Sequence, residues 1–391
     1  MMQESMGAPS ASPVVPPPQG TLLEKEHESL GGHMVDFHGW RMPLYYQSTG
    51  ILAEHRAVRS GAGIFDVSHM GIITINGETA ADLLSRRLPL NAKTQRTNAC
   101  KYTCFLDTDG DIIDDAVLTR LDSRETPGDY LLVVNASMAL RIQELLQQHR
   151  PKGTQIERWN GRLGIVAVQG PKSREIVEKV LGAEVKPLKF YTSAFFDAKT
   201  GAQVPYEKGF SPMAFENRFI SRTGYTGELG YELFLPAELI TQKWKELIEA
   251  GAVPCGLGAR DTLRMEKGYL LSGVDFTGHK SPLECGLDRF LSWEHEFVGR
   301  AALEKQKKAG GYAVFTGLKV TERGAVPRTG TPILAKGSPI TLATSGGLSP
   351  TLGHGIALGF LPPEWRTPGQ KLEMEIRGKT VPAEVVGLPF V

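Results

Sequence analysis

The densest group of ionisable side chains is Asp107 to Thr119, DTDGDIIDDAVLT, with five carboxylates between Asp107 and Asp115. Asp107-Thr108-Asp109-Gly110 has the composition of a tight turn, in which Asp bonds its own backbone and Gly accepts positive φ. The run from Ile112 to Leu121 reads as a strand entering a buried sheet, which leaves Asp114 and Asp115 where solvent gives way to core. A carboxylate held there can be functional. Calcium is rejected: Asp107, Asp109 and Asp111 match the first three ligand positions of an EF-hand, but glycine falls at position four instead of six and Leu118 stands where a bidentate Glu is required.

Two further stretches carry chemistry. SRTGYTGELGYE, Ser221 to Glu232, sets three glycines around two tyrosines before a strand, so that backbone and rings can approach a flat ligand closely. Glu232 beside that strand is either a solvent-facing residue or a ligand contact. In GARDTLRMEKGYLLSG, Arg260 and Arg264 share a helical face and Tyr269 follows; structural ion pairs and anion recognition both fit. Asp66, Ser68 and His69 do not form a hydrolase triad, because neighbours in an extended segment point to opposite faces. GLGARD lacks the third glycine of a dinucleotide fingerprint, and VQGPKS lacks P-loop spacing. Asn135-Ala136-Ser137 is formally a glycosylation sequon, but nothing else implies secretion.

These residues need a scaffold, and 391 residues suffice for two or three domains. Residues 1–20, with five prolines, read as a disordered tail. Helical spacing recurs at Leu22 to Leu30 and Ile51 to Arg59, flanking an aromatic loop, VDFHGWRMPLYY. From Gly71 a strand, a helix (Ala80 to Arg87), strands and a second helix follow. A similar order recurs from Gly164, with helices Ser173 to Leu181 and Leu239 to Ala250. The pattern implies an α+β fold: duplicated mixed α/β modules with largely antiparallel sheets over 21–155 and 156–300. Beyond residue 301, short strands such as Val314 to Val320 imply a small C-terminal β-barrel domain over 301–391.

A net charge of +1 gives no electrostatic argument for nucleic acid. No apolar run reaches the ~20 residues of a membrane span, and the N-terminus lacks a signal-peptide pattern. Cys100, Cys104, Cys255 and Cys285 form no CxxC pair, so neither zinc nor a disulfide framework is expected. The expectation is a cytoplasmic protein without a metal.

Read together, VDFHGWRMPLYY, GIFDVSHMG, DGDIIDDAV, VQGPKS, SRTGYTGELGYE, GLGARDTLRMEKGYLLSG, PLECGL and SGGLSPTLGHGIALGF stand in the order of the glycine cleavage system T-protein (aminomethyltransferase) family. The chain resembles that family from Leu22 to Phe390. The resemblance implies three domains around a central channel for tetrahydrofolate, which is a co-substrate. It implies transfer of the one-carbon unit of an aminomethyl group, carried on the lipoyl arm of H-protein, to tetrahydrofolate, releasing ammonia and forming 5,10-methylenetetrahydrofolate. Matched to the family, Asp115 is the catalytic carboxylate and Glu232 meets the edge of the pterin. Arg260 matches a ligand-binding arginine, and Tyr102, Asn135, Tyr225 and Tyr269 match positions along the channel. Alternation would turn Asp114 to the other face in a structural role. Lipoylated H-protein is the implied partner, and a monomer is expected.

Two departures stand out. The second glycine of the family's usual GG before the IDD turn is Asp111, and the chain ends at Val391 where family members commonly continue to a ligand-contacting arginine, leaving Arg377 or another residue to replace it. Two relatives compete: a folate-dependent demethylase taking methyl groups from a small donor, and a non-catalytic folate-binding iron–sulfur maintenance protein. The latter carries KGCYxGQE, whereas this chain has KGYLLSG without the cysteine.

Overall fold

A computed structural model describes residues 17–121, 128–197, 199–206 and 218–391. Of the expected tail, residues 1–16 lie outside the described residues, whereas Gln19–Gly20 already forms a strand, β1. The chain continues through α1 (Glu24–Ser29), β2 (Gly32–Phe37), β3 (Trp40–Tyr46), α2 (Gly50–Ser60) and β4 (Gly63–Asp66). The aromatic loop expected at Val35 to Tyr46 is instead a hairpin of β2 and β3, closed by His38 (φ 53°) and Gly39 (φ 80°). Two successive positive φ values make a turn whose twist matches the strands it joins.

The first repeated unit runs β5 (Gly71–Asn76), α3 (Ala80–Arg87), β6 (Cys100–Leu106), β7 (Ile112–Arg120), β8 (Asp129–Val134), α4 (Ala139–Gln148) and β9 (Gln155–Arg158). The second runs β10 (Leu163–Gln169), α5 (Ser173–Leu181), β11 (Ser193–Phe196), β12 (Gln203–Val204), β13 (Arg218–Ser221), β14 (Gly230–Pro236), α6 (Ala237–Glu249) and β15 (Val253–Pro254). The sheets read β6-β7-β8-β5-β9 and β12-β11-β13-β14-β10-β4-β15. In each, the unit's first strand pairs with its last long strand and the middle strands follow outward, so the duplication is topological. Among the described residues every strand pair is antiparallel except β1 with β3 and β4 with β15.

The two sheets pack face to face. Phe65, Ile165, Phe219 and Phe234 from the second sheet share one core with Ile72, Leu121 and Leu131 from the first. The outer faces are covered by helices: α3 and α4 on the first sheet, α5 and α6 on the second. Ile240, Trp244 and Leu247 show the spacing of a helix with one buried stripe, and Gly182 (φ 61°) terminates α5 in the left-handed conformation. Because both of its faces are covered, β10 is buried throughout as LGIVAVQ.

After α7 (Leu257–Glu266) and α8 (Arg300–Ala309), six strands close a barrel: β16 (Val314–Val320), β17 (Pro332–Ala335), β18 (Ser338–Ser349), β19 (His354–Leu361), β20 (Lys371–Ile376) and β21 (Lys379–Val386). Leu318, Ala357, Met374 and Val385 fill its interior. Ile356, Leu358 and Phe360 point outward, yet they are buried against Leu270, Phe276 and Leu283, which seats the barrel on the remainder of the chain.

Buried charges fix that seat. Arg264, 2% exposed, donates from Nη1 to Asp275 Oδ2 at 2.8 Å and from Nη2 to Ser345 Oγ at 2.7 Å; Ser345 donates in turn to Asp275 Oδ1 at 2.7 Å. Glu266 is fully buried and accepts from Ser349 Oγ (2.6 Å) and the Thr351 N–H (3.0 Å) of the barrel, and from Arg59 Nη2 (2.7 Å) of α2.

Removing one partner leaves the other charge buried and alone. Arg264→Ala is therefore expected to lose about 3–5 kcal/mol of stability, read from the urea midpoint; a midpoint equal to wild type would show that this ring carries no net stability. Burial raises the pKa of Glu266, but hydrogen bonds from His55, Ser349 and Arg59 outweigh it and hold the carboxyl below the ordinary range. The ionised form is thus favoured by the fold, and its contribution is complete above the ordinary glutamate value and lost as pH falls below it. Glu266→Gln should flatten the stability curve below about pH 4.5; parallel curves for the two proteins would exclude this carboxylate as the source.

Candidate active site

The facing sheets, α7, the segment after it and the barrel enclose a cavity of about 1390 Å³. Asp115, Tyr102, Asn135, Tyr225, Glu232, Arg260 and Tyr269 all line it. Alternation along the strands explains the convergence. On β7, Ala116 and Leu118 pack under the helices of the first unit, which turns Asp115, Val117 and Thr119 toward the opposite sheet. On β14, Tyr231, Leu233 and Leu235 pack under α5 and α6, which turns Glu232 and Phe234 the other way.

On the first wall, Asp115 Oδ2 accepts from the Tyr102 hydroxyl at 2.8 Å and Oδ1 from Asn135 Nδ2 at 2.5 Å. Each oxygen has one donor and retains further acceptor capacity. Burial raises the pKa of Asp115, against the pull of the Tyr102 and Asn135 hydrogen bonds. Asp114 turns away from the cavity and is fully buried. Its carboxyl is pushed up to about 7 by burial and by the charge of Asp115. The other acids of the opening cluster shape the turn: Asp107 Oδ1 accepts the N–H groups of Asp109 (3.0 Å) and Asp111 (2.9 Å). Gly110 is required there, since a Cβ would sit 3.0 Å from Leu303 at a φ of 82°. Asp111 does not line the cavity.

On the second wall, Glu232 accepts from the Thr223 hydroxyl, and burial raises its pKa against that bond and the Arg260 charge. Arg260 lies with its guanidinium 4.8 Å from the Tyr225 ring centre, and its buried Nη1 has no partner. Tyr225 donates to the Leu270 carbonyl and stacks on Tyr269 with centroids 5.7 Å apart and planes at 27°. Arg260 and Arg264, alike in sequence, thus separate: every nitrogen of Arg264 has a structural partner, whereas Nη1 of Arg260 has none.

Several wall residues escape sequence reasoning. Thr223 and Ser272 hold carboxylates, and no local pattern marks a hydroxyl for that task. His69 lines the cavity with its Nδ1 buried and unpartnered; burial, with further help from Arg260 and His38, pushes its pKa down to about 4, so the imidazole is neutral. Its rejection as a triad member holds for a different reason: Asp66 bonds His27 at 2.9 Å, and Ser68 and His69 lie beyond the end of β4. Arg377 does not replace a ligand-contacting arginine, because it sits in the β20–β21 turn at φ 52° and is absent from the cavity wall, whose cations are Lys101, Arg260, Arg264, Lys267 and Arg289.

The wall offers no activated nucleophile among its thiols. Burial pushes Cys100 up to about 12 and raises Cys285 as well, so both stay protonated. What it offers is a pair of carboxylates on facing walls, a cation with an unpartnered donor, and stacked tyrosine rings. That set suits a flat ring with donors along one edge and a reacting N–H beyond it.

Two family models match the chain. Residues 23–295 match the GCVT N-terminal domain, and residues 314–391 match the glycine cleavage T-protein C-terminal barrel domain. The chain is 39% identical over 376 residues to an aminomethyltransferase of Halothermothrix orenii, covering 95% of this chain and 99% of the relative. It is 40% identical over 382 residues to an aminomethyltransferase of Streptomyces coelicolor, covering 95% and 96%. A crystal structure of glycine cleavage system aminomethyltransferase T from Bartonella henselae superposes with a TM-score of 0.85 at 30% identity, covering 95% of this chain and 98% of that one. With two facing α/β units, a closed barrel and full-length relatives, the chain belongs to the aminomethyltransferase (glycine cleavage T-protein) family.

Proposed function

We propose that the cavity binds tetrahydrofolate and that the chain transfers to it the one-carbon unit of an aminomethyl group on the lipoyl arm of an H-protein. The observation that carries this reading is the placement of Asp115 and Glu232 on facing walls of one cavity. Glu232 presents acceptor oxygens to the amino and ring N–H groups along the pterin edge, a two-point match that a lone acceptor cannot make. The Nη1 donor of Arg260 is available to an acceptor on the same ligand, and Tyr225 and Tyr269 provide stacking surface.

Asp115 faces the reacting region. Tyr102 and Asn135 fix its rotamer, so a remaining lone pair can accept a hydrogen bond from the aryl amine N–H of the folate. Aryl amines are weak nucleophiles, and orientation together with stabilisation of the developing ammonium charge is what a fixed carboxylate supplies. The balance is complete without an oxidant. The aminomethyl carbon loses its bonds to sulfur and nitrogen and gains bonds to two folate nitrogens, whose two hydrogens leave with the thiol and ammonia. No thiolate or metal need take part in that exchange. Among the described residues no helix is long and apolar enough to cross a membrane, and we place the reaction in the cytoplasm with the protein acting as a monomer.

The decisive assay mixes the protein with tetrahydrofolate and aminomethylated H-protein and follows ammonia and methylenetetrahydrofolate; ammonia no faster than without enzyme would end the proposal, and a methyl instead of a methylene product would indicate a demethylase. Asp115→Asn should retain folate binding while kcat falls by about 10²- to 10³-fold, and a fully active variant would remove Asp115 from the role. Glu232→Ala should weaken folate binding by roughly 10- to 100-fold; an unchanged Kd would place the pterin elsewhere.

A further inference from the structure

Asp114 does not line the cavity, yet its side-chain hydrogen bonds run to Asn135 and Ser272, which do. Its Oδ2 accepts the backbone N–H of Asn135 at 3.1 Å, and its Oδ1 accepts both Asn135 Nδ2 at 2.8 Å and the Ser272 hydroxyl at 2.8 Å. The same Nδ2 donates to Asp115 Oδ1 at 2.5 Å. The Asn135 amide therefore stands between two carboxylates and gives one hydrogen to each. A flip of the amide would press a carbonyl oxygen against carboxylate oxygens, so only one orientation fits.

The two aspartates contribute unequally to that orientation. Asp115 meets only the Asn135 side chain, accepting from Nδ2 at Oδ1 and at its backbone carbonyl (3.4 Å), whereas Asp114 grips both the backbone N–H and the side chain and so closes a ring that leaves the amide no freedom. A neutral side chain at 114 could satisfy Ser272 alone. Two acceptor oxygens are needed only because Asn135 presents two donors, with its remaining hydrogen committed to Asp115.

We propose that Asp114 is a positioning residue for the transfer reaction: acting through the Asn135 amide, it holds the Asp115 carboxylate in its working rotamer, with Ser272 anchoring it from behind. Ser272 comes from the segment that also carries Tyr269 on the cavity wall and Asp275 in the ring with Arg264. The grip on Asp115 is thereby tied to the seating of that segment against the barrel. The inference rests on Asp115 being the reacting carboxylate.

A double-mutant cycle tests it. Asp114→Asn, Asn135→Ala and the double variant are compared with wild type in kcat, in KM for tetrahydrofolate and in folate Kd. Misplacing a reacting group lowers kcat, so Asp114→Asn should lose about 10- to 100-fold in kcat with folate Kd within about 3-fold. Adding it to Asn135→Ala should cost nothing more. Ser272→Ala should give a smaller kcat loss that Ser272→Thr, which keeps the hydroxyl, largely restores. Losses that multiply in the double variant, or a kcat for Asp114→Asn within about 2-fold of wild type, would overturn the inference. If Asp114→Asn does not fold, the Ser272 pair decides: equal activity in Ser272→Ala and wild type would overturn it. Full activity in Asp115→Asn would remove Asp115 from its proposed role and this inference with it, whereas an inactive Asp115→Asn beside an unimpaired Asp114→Asn would bring down this inference alone.

Discussion

Within the last turn of α7 the chain buries an arginine and a glutamate two residues apart, and the rest of the molecule is arranged to answer them. A buried charge without a partner is too costly to persist. Arg264 finds Asp275 and Ser345, and Glu266 finds Arg59, Ser349 and Thr351, so three regions distant in sequence must meet at one helix end. The same convergence sets the wall from which Arg260 enters the cavity one turn earlier. Two arginines of one helix thus differ in their partners: those of Arg264 are supplied by the fold, whereas Arg260 keeps an unpartnered Nη1 in the cavity.

Charge also organises the cavity. Burial raises the carboxyls of Asp115 and Glu232 and lowers the guanidinium of Arg260, which is the pattern of groups withdrawn from water before a ligand arrives. Each carboxylate is nevertheless held by a hydroxyl: Tyr102 for Asp115 and Thr223 for Glu232. Such groups need little reorganisation when a substrate enters, and a low-dielectric setting strengthens whatever hydrogen bonds they then make.

Much of this was legible in the sequence, for identifiable reasons. Helices such as Ala80–Arg87 and Ser173–Leu181 have one buried stripe, so spacing alone marks them. The barrel strands announce themselves by alternation between frequent glycines. The hairpin at Gly32–Phe37 and Trp40–Tyr46 did not, because its half-buried aromatic residues alternate too weakly to separate strand from loop. Arg260 and Arg264 could not be told apart, since helical spacing gives both the same face and only tertiary contacts, with Asp275 and with Ser345 of the barrel, distinguish them. Ser272 lies 158 residues from Asp114, and a bond across that distance leaves no local signature.

The doubled architecture has a thermodynamic consequence. Each unit supplies most strands of one sheet and the helices that cover it, but the cavity lies between the sheets: Asp115 belongs to one and Glu232 to the other. The cavity exists only with the two sheets docked, so any ligand that touches both walls would stabilise docking by mass action, the more so the further its concentration exceeds its Kd. Affinity for the ligand is therefore also affinity of one half of the protein for the other.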